Sequence, residues 1–345
     1  MTNPFHPEQP IINPSDFWGR RAELSKIFSR INADHPQCIS IIGERKIGKT
    51  SLINVISNEE IYSKYLKYPE AYVIIKFDVD DRIEDVDSFF GHLISTISNS
   101  FGYICQNSDT VNGYQFLKDF INKCMKEKKK IIILLDDFDR ITSNSEFPIE
   151  FFAFLRSVAN SYHIAYVTTS TQSLQKVCVI KDVEESPFFN IFSSLHLKLP
   201  DSISLLQQVM KIMKTYNINE DGQSFVKRTS AYHPYVMQVV GKLIIEHNGK
   251  VNESIALLRL KEFFSQLWFS LSKEERKLVK MLAYNKKLPE KMRYMTQELN
   301  KRSILFELGG KWSLFSTLFK LFILKEHSSK GYWFNQLFSP GDSYG

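Results

Sequence analysis

The chain has 345 residues, of which 43% are hydrophobic and 27 are Phe, and its formal net charge is +6. That apolar content supports packed cores and excludes wholesale disorder, and the length suggests two or three domains. The charge permits contact with nucleic acid or an acidic partner without arguing for either. Cys38, Cys105, Cys124 and Cys178 form no C-x-x-C pair and have no His at ligand spacing, so zinc is not expected and a reduced, cytoplasmic setting is. The start reads as no signal peptide, and no apolar run reaches membrane-spanning length. The longest, Leu314 to Leu324, is broken by Ser316, Thr317 and Lys320. A soluble protein with no membrane partner is expected.

Residues 1–14 carry Pro4, Pro7, Pro10 and Pro14 and read as an extended leader. Asp16-Phe17-Trp18-Gly19-Arg20 follows, and Ala22 to Ile31 is predicted to be an amphipathic helix with Leu24, Ile27, Phe28 and Ile31 on one face. Cys38 to Ile42 reads as a short buried strand. It runs into Gly43-Glu44-Arg45-Lys46-Ile47-Gly48-Lys49-Thr50, which fits G-x-x-x-x-G-K-[ST] at every fixed position. Ser51 to Ile56 then shows helical spacing. Strand, glycine loop and helix together make a phosphate-binding loop: Gly43 and Gly48 let the backbone turn its N–H groups inward, and the helix start adds a positive end. Lys49 is expected to reach the β- and γ-phosphates and the Thr50 hydroxyl to ligate magnesium.

Ala71 to Val79 is predicted as a strand, and Val86 to Phe101 and Gly113 to Met125 as helices. The charged turn Lys126 to Lys130 reads as a solvated loop or as a patch for a phosphate backbone. Ile131 to Leu135 has the form of a strand buried on both faces. It ends in Asp136 and Asp137. With a phosphate loop upstream, Asp136 is expected to hold magnesium and Asp137 to sit near the attacking water; otherwise both merely end the strand. Asp139 reads as a surface or helix-capping carboxylate. After a helix from Phe147 to Tyr162 comes the strand Ile164 to Thr169. Its end, Thr168-Thr169-Ser170, offers a hydroxyl to the γ-phosphate or the water, or is simply polar. Strands alternating with helices predict an α/β fold with a parallel sheet.

From Leu199 the strand pattern stops. Ser202 to Met213, Gln223 to Thr229, Tyr235 to His247 and Val251 to Phe269 read as helices. Ser272 to His327 holds two helical patterns and a hairpin signal around Gly309-Gly310, an order similar to a winged helix. Leu314, Phe315, Leu318, Phe319, Phe322 and Ile323 exceed one helical face, so some are expected to bury against the nucleotide-binding part or the helices of 200–268.

The phosphate loop, Phe17-Trp18-Gly19-Arg20 and the Asp136-Asp137 strand end together resemble STAND-class ATPases of the AAA+ group. Glu185 to Phe192 is similar to the segment before the lid in the bacterial branch, and Ala231-Tyr232-His233-Pro234-Tyr235-Val236-Met237-Gln238 resembles its "GHPYLLQ" lid motif. The resemblance implies a P-loop αβα domain over 15–199, a helical lid over 200–268 and a winged helix with an aromatic tail over 269–345. It implies a switch that is closed with ADP and assembles with ATP, through self-association or a separate effector protein. Nucleotide contacts then fall on Trp18, Gly19, Arg20, Gly43, Lys46, Ile47, Gly48, Lys49, Thr50, Ser51, Thr169, His233 and Pro234, with His233 either sensing phosphate or merely capping or packing beside its helix. Lys49 and Asp137 would be catalytic, and Thr50 and Asp136 would carry Mg2+. His327 would face the phosphates of bound ADP or lie at the surface.

Two departures from the family pattern imply slow ATP hydrolysis: Asp137 stands where many members have Glu, and Ser170 where some have Arg. Arg140 and Arg156 are the candidates for an arginine acting in trans. The alternative is a DNA-binding AAA+ ATPase, with Lys291, Arg293, Lys301 and Arg302 on the reading helix, diluted by Glu290, Glu298 and Glu307. The tail 330–345, with Tyr332, Trp333 and Phe334, packs on the winged helix or binds a partner.

Overall fold

A computed structural model describes residues 3–103, 112–230 and 232–327. Cys105, Ala231 and the aromatic tail lie outside them. The chain divides into two units. One is Gln9–Lys198. The other takes the chain from Leu199 onward together with the first residues up to Glu8.

The first unit is built on a parallel sheet. In chain order it contains α1 (Arg21–Ile31), β1 (Ile39–Ile42), α2 (Lys49–Ile56), α3 (Glu59–Tyr65), β2 (Tyr72–Asp78), α4 (Val86–Phe101) and α5 (Gly113–Lys126). Then come β3 (Lys130–Asp136), α6 (Asp139–Thr142), α7 (Ile149–Ser161), β4 (Ile164–Ser170), α8 (Lys181–Glu184) and β5 (Ser193–His196). The strand order is β2-β3-β4-β1-β5, all parallel. β3 and β4 are buried almost end to end, which is why their sequences are apolar runs rather than alternations. On one side, Phe77, Phe89, Phe147 and Phe151 pack edge to face or tilted, with centroids 4.8 to 6.4 Å apart.

β5 is absent from the sequence reading, and so is α3. β5 is a polar edge strand, Ser-Ser-Leu-His, with half-exposed and exposed positions alternating. It has no apolar run to betray it. Its register on β1, Ile42 opposite His196, brings the backbone that follows against the phosphate loop.

The second unit contains α9 (Ser202–Thr215), α10 (Glu220–Ser230), α11 (Pro234–Glu246), α12 (Glu253–Ser270), α13 (Lys273–Ala283), α14 (Arg293–Lys301), β6 (Leu305–Leu308), β7 (Lys311–Leu314) and α15 (Thr317–Glu326). The strands β6 and β7 pair antiparallel, and Gly309 and Gly310 both take positive φ in the two-residue turn between them. Phe315, Phe319 and Phe322 surround Phe264 of α12 at 5.3 to 6.4 Å, so the apolar surplus of this segment is buried within the unit.

The leader is shared. Asn3 Nδ2 donates to the Lys242 carbonyl, the His6 N–H donates to Gln238 Oε1, and Glu8 pairs with Lys242 at 2.9 Å. Phe5 is buried against Gly241, where an added Cβ would lie 2.8 Å from its ring. Within the first unit, the Ile11 N–H donates to Ser51 Oγ and its carbonyl accepts from Asn54 Nδ2, both at 3.0 Å.

Candidate functional site

The carboxyl end of β1 continues into the glycine loop. The Gly43 N–H donates to the Ser170 carbonyl, extending the β1–β4 pairing by one residue. A Cβ on Gly43 would meet Ile47 Cγ2 at 2.9 Å and Leu197 at 3.2 Å, so only glycine fits. Lys46 has φ +63° and Gly48 φ +101°, two left-handed residues flanking Ile47. This alternation makes the backbone concave, and Gly48 then caps α2.

Lys49 opens α2 and is 7% exposed. Its Nζ donates to the carbonyls of Gly43 at 2.9 Å and Glu44 at 3.2 Å, folding the side chain over the loop. Burial pushes the ammonium below its ordinary pKa, while Asp137, Asp139 and Asp136 pull it back up. The three carboxylates are therefore within electrostatic reach of Lys49. Thr50 is half-buried beside it.

At the end of β3, Asp136 is buried and accepts a hydrogen bond from Thr169 Oγ1. The same hydroxyl accepts the Asp137 N–H at 2.8 Å. Thr169 thus ties the two aspartates together, and the Phe138 N–H on its carbonyl closes the link to β4. Asp137 has φ +52°, a conformation that Asp and Asn tolerate better than most residues. Its carboxyl is raised above the ordinary range by burial first and by Asp136 next, with Lys49 opposing. Asp139 is neither idle surface nor a cap for its own helix: its Oδ2 accepts both the N–H and the hydroxyl of Thr171, at 2.8 Å each.

Several residues expected to touch nucleotide are already engaged by the protein. Ser51 Oγ holds Ile11. Arg20 is 3% exposed; its guanidinium donates to Glu23 Oε1 at 3.0 Å, to the Lys198 carbonyl and, at 2.9 Å, to the Ile47 carbonyl. Trp18 donates its indole N–H to the Ser15 carbonyl at 2.7 Å, and Gly19 takes φ +75° before α1. Arg140 pairs with Asp81 in a cleft that Asp80, Glu84 and Glu146 also line. His233 and Pro234 belong to the second unit. There His233 is buried between Phe263 and Phe315, and Pro234 starts α11. His327 stacks on Trp268 at 4.2 Å.

The family profile of the novel STAND NTPase 2 group matches residues 33–208, about half the chain and all of this site from Gly43 to Ser170. The chain belongs to the novel STAND NTPase 2 family. No curated protein matches the sequence. Among solved structures, this STAND NTPase is similar to the Walker-type ATPase PabY2304 of Pyrococcus abyssi, with TM-score 0.58 and 13% identity over 92% of this chain and 98% of that one. It is also similar to the ADP form of the Orc2 protein of Aeropyrum pernix, with TM-score 0.55 and 16% identity over 92% and 95%. At such identities the likeness concerns the fold. Among the described residues, no helix of this STAND NTPase is long and apolar enough to cross a membrane.

Proposed function

We propose that the chain is a nucleotide switch that binds ATP or ADP with magnesium, hydrolyses ATP slowly and changes its assembly state or partner contacts between the two forms. One observation carries this reading. Lys49, the left-handed turn at Gly48 and the linked pair Asp136–Asp137 gather at the carboxyl ends of β1, β3 and β4, where open parallel sheets take their ligands.

Lys49 exchanges its two backbone acceptors for phosphate oxygens, which suits a buried ammonium better than neutral carbonyls do. Thr50 and Asp136 supply hard oxygens, the kind magnesium takes alongside phosphate. When bound there, magnesium neutralises charge on the transferring phosphoryl group. Asp137 orients the water. It is one methylene shorter than Glu, so its carboxylate lies about 1 Å farther back, a misplacement that can cost on the order of a hundredfold in rate.

In this reading α9 to α12 form the lid, and α13 to α15 with the β6–β7 hairpin form a winged helix. His233 and Pro234 stand at the start of α11 in this lid. Equilibrium dialysis with labelled ATP and ADP, with and without magnesium, tests the binding. Sizing of the protein with ADP and with a non-hydrolysable ATP analogue tests the switch. A single size with both nucleotides, together with duplex DNA retained on filters more weakly at higher salt, would replace the switch by a DNA-binding ATPase.

A further inference from the structure

We propose that Arg20 is a positioning residue that relays the shape of the phosphate loop to the backbone leaving the sheet unit for the helical unit. The proposal rests on the nucleotide-binding reading given above.

Two peptide planes carry it. The first is Ile47–Gly48, at the crest of the loop. Arg20 Nη2 holds the Ile47 carbonyl at 2.9 Å. The chain contains no cis peptide bonds among the described residues, so the Gly48 N–H points opposite to that carbonyl, away from the buried guanidinium. Arg20 therefore sets the direction in which a loop N–H is offered to an anion. An anion that draws on this N–H turns the same plane.

The second plane is Lys198–Leu199, where the chain passes from one unit to the other. Arg20 Nη1 donates to the Lys198 carbonyl. The N–H at the other edge of this plane, that of Leu199, donates to Ser303 Oγ at 3.0 Å within the helical unit. Ser303 is itself buried, takes φ +61° and stands two residues before β6. One guanidinium thus grips one peptide in the loop and one at the exit, and the exit peptide is gripped again by the unit it enters.

The fork suits arginine. Its planar array of donors reaches two carbonyls at once, and Glu23, one turn along α1, supplies the counter-charge and fixes the plane. Burial works against the charged form and Glu23 supports it. The two carbonyls are held by different nitrogens, Nη1 for Lys198 and Nη2 for Ile47. Lysine offers its donors from one nitrogen and has no planar fork to fix the two peptides relative to each other.

Trypsin reads the relay directly. Its scissile carbonyl after Lys198 is the one Arg20 holds, and the Lys198 side chain is exposed. Full-length wild type, Arg20→Lys and Ser303→Ala are digested briefly without nucleotide, with ADP and with a non-hydrolysable ATP analogue plus magnesium. Cleavage after Lys198 is quantified by mass spectrometry; dialysis gives nucleotide affinity and thermal melting checks the fold.

In wild type, cleavage after Lys198 changes with nucleotide. Arg20→Lys cleaves at one rate in all three conditions and binds nucleotide about tenfold more weakly, the scale of ordinary coupling energies. Ser303→Ala, remote from the loop, keeps wild-type affinity and loses most of the response. If all three proteins bind nucleotide and cleavage responds identically in each, the relay is overturned and the binding reading stands. If wild type binds no nucleotide, the binding reading fails and the relay falls with it.

Discussion

Thr169 on β4 and Asp136 on β3 are joined by a single hydroxyl that donates to Asp136 Oδ1 and accepts the Asp137 N–H. Thr169→Val keeps the shape and removes both bonds. Leaving these buried groups unpaired costs about 1–3 kcal/mol. ATP turnover should fall at least tenfold by the same scale, and Thr169→Ser should retain most of it. Steady-state hydrolysis and urea unfolding of both variants check this; wild-type turnover in Thr169→Val would remove the role.

Asp137 should make the ligand-free protein respond to pH. Its folded pKa is raised above the unfolded value of 3.8 by burial and by Asp136. A raised carboxyl binds more protons in the folded state, so its contribution is fully present below the unfolded pKa. That contribution is lost as pH rises through the folded value. Asp137→Asn, which tolerates the same left-handed backbone, should melt higher than wild type at neutral pH, and the gap should close as the pH falls below the ordinary carboxyl range. Melting curves from acid to neutral pH decide it. A constant gap would assign the effect to something other than titration.

The two loop glycines should fail for different reasons. Gly43→Ala drives a methyl into Ile47 and Leu197, an overpacking that costs about 1–3 kcal/mol. Around Gly48 an added Cβ meets nothing within 4 Å, so Gly48→Ala bears only the left-handed backbone strain, roughly 1–2 kcal/mol. Gly43→Ala is expected to lower melting temperature at least as much as Gly48→Ala, and both should weaken nucleotide binding. Calorimetry and dialysis on the pair give the comparison.

Lys49→Met replaces the buried ammonium by a chain of similar length. Losing a charged hydrogen bond is worth about 1.5–3 kcal/mol, so affinity for ATP should drop roughly 10- to 100-fold. The ligand-free fold should survive, because the burial cost of the ammonium is removed along with its two bonds. Dialysis of the melted-and-checked variant tests this, and unchanged affinity would exclude Lys49 from the phosphate site.

Phe5→Ala should destabilise the helical unit by about 3 kcal/mol, the low end for an emptied aromatic site. Gly241→Ala should do similar damage from the other side, since its methyl would occupy the space of the ring. The double variant should cost less than the sum of the two, which a double-mutant cycle by denaturant unfolding measures.

The loop, β3 and the aspartates after it were legible because each is a local pattern: fixed glycines, an unbroken apolar run, polar residues at its end. Arg20 was legible as part of a motif but not in its role, since its partners Ile47 and Lys198 lie far along the chain. The same holds for Ser51, whose hydroxyl is taken by a leader residue 40 positions earlier. β5 escaped because an edge strand needs no apolar face on its open side. The left-handed turn at Asp137 had no glycine to announce it.

The sheet unit is, in topological terms, an insertion. The chain leaves the helical unit at Glu8 and returns to it at Leu199. During synthesis Phe5 and His6 emerge before the sheet unit, yet the Gln238 side chain that holds His6 comes 232 residues later. The sheet unit can close on itself in the meantime, as domains made early generally do. A segment made before the sheet unit is then placed only after it, and until then the Phe5 ring has no slot to enter.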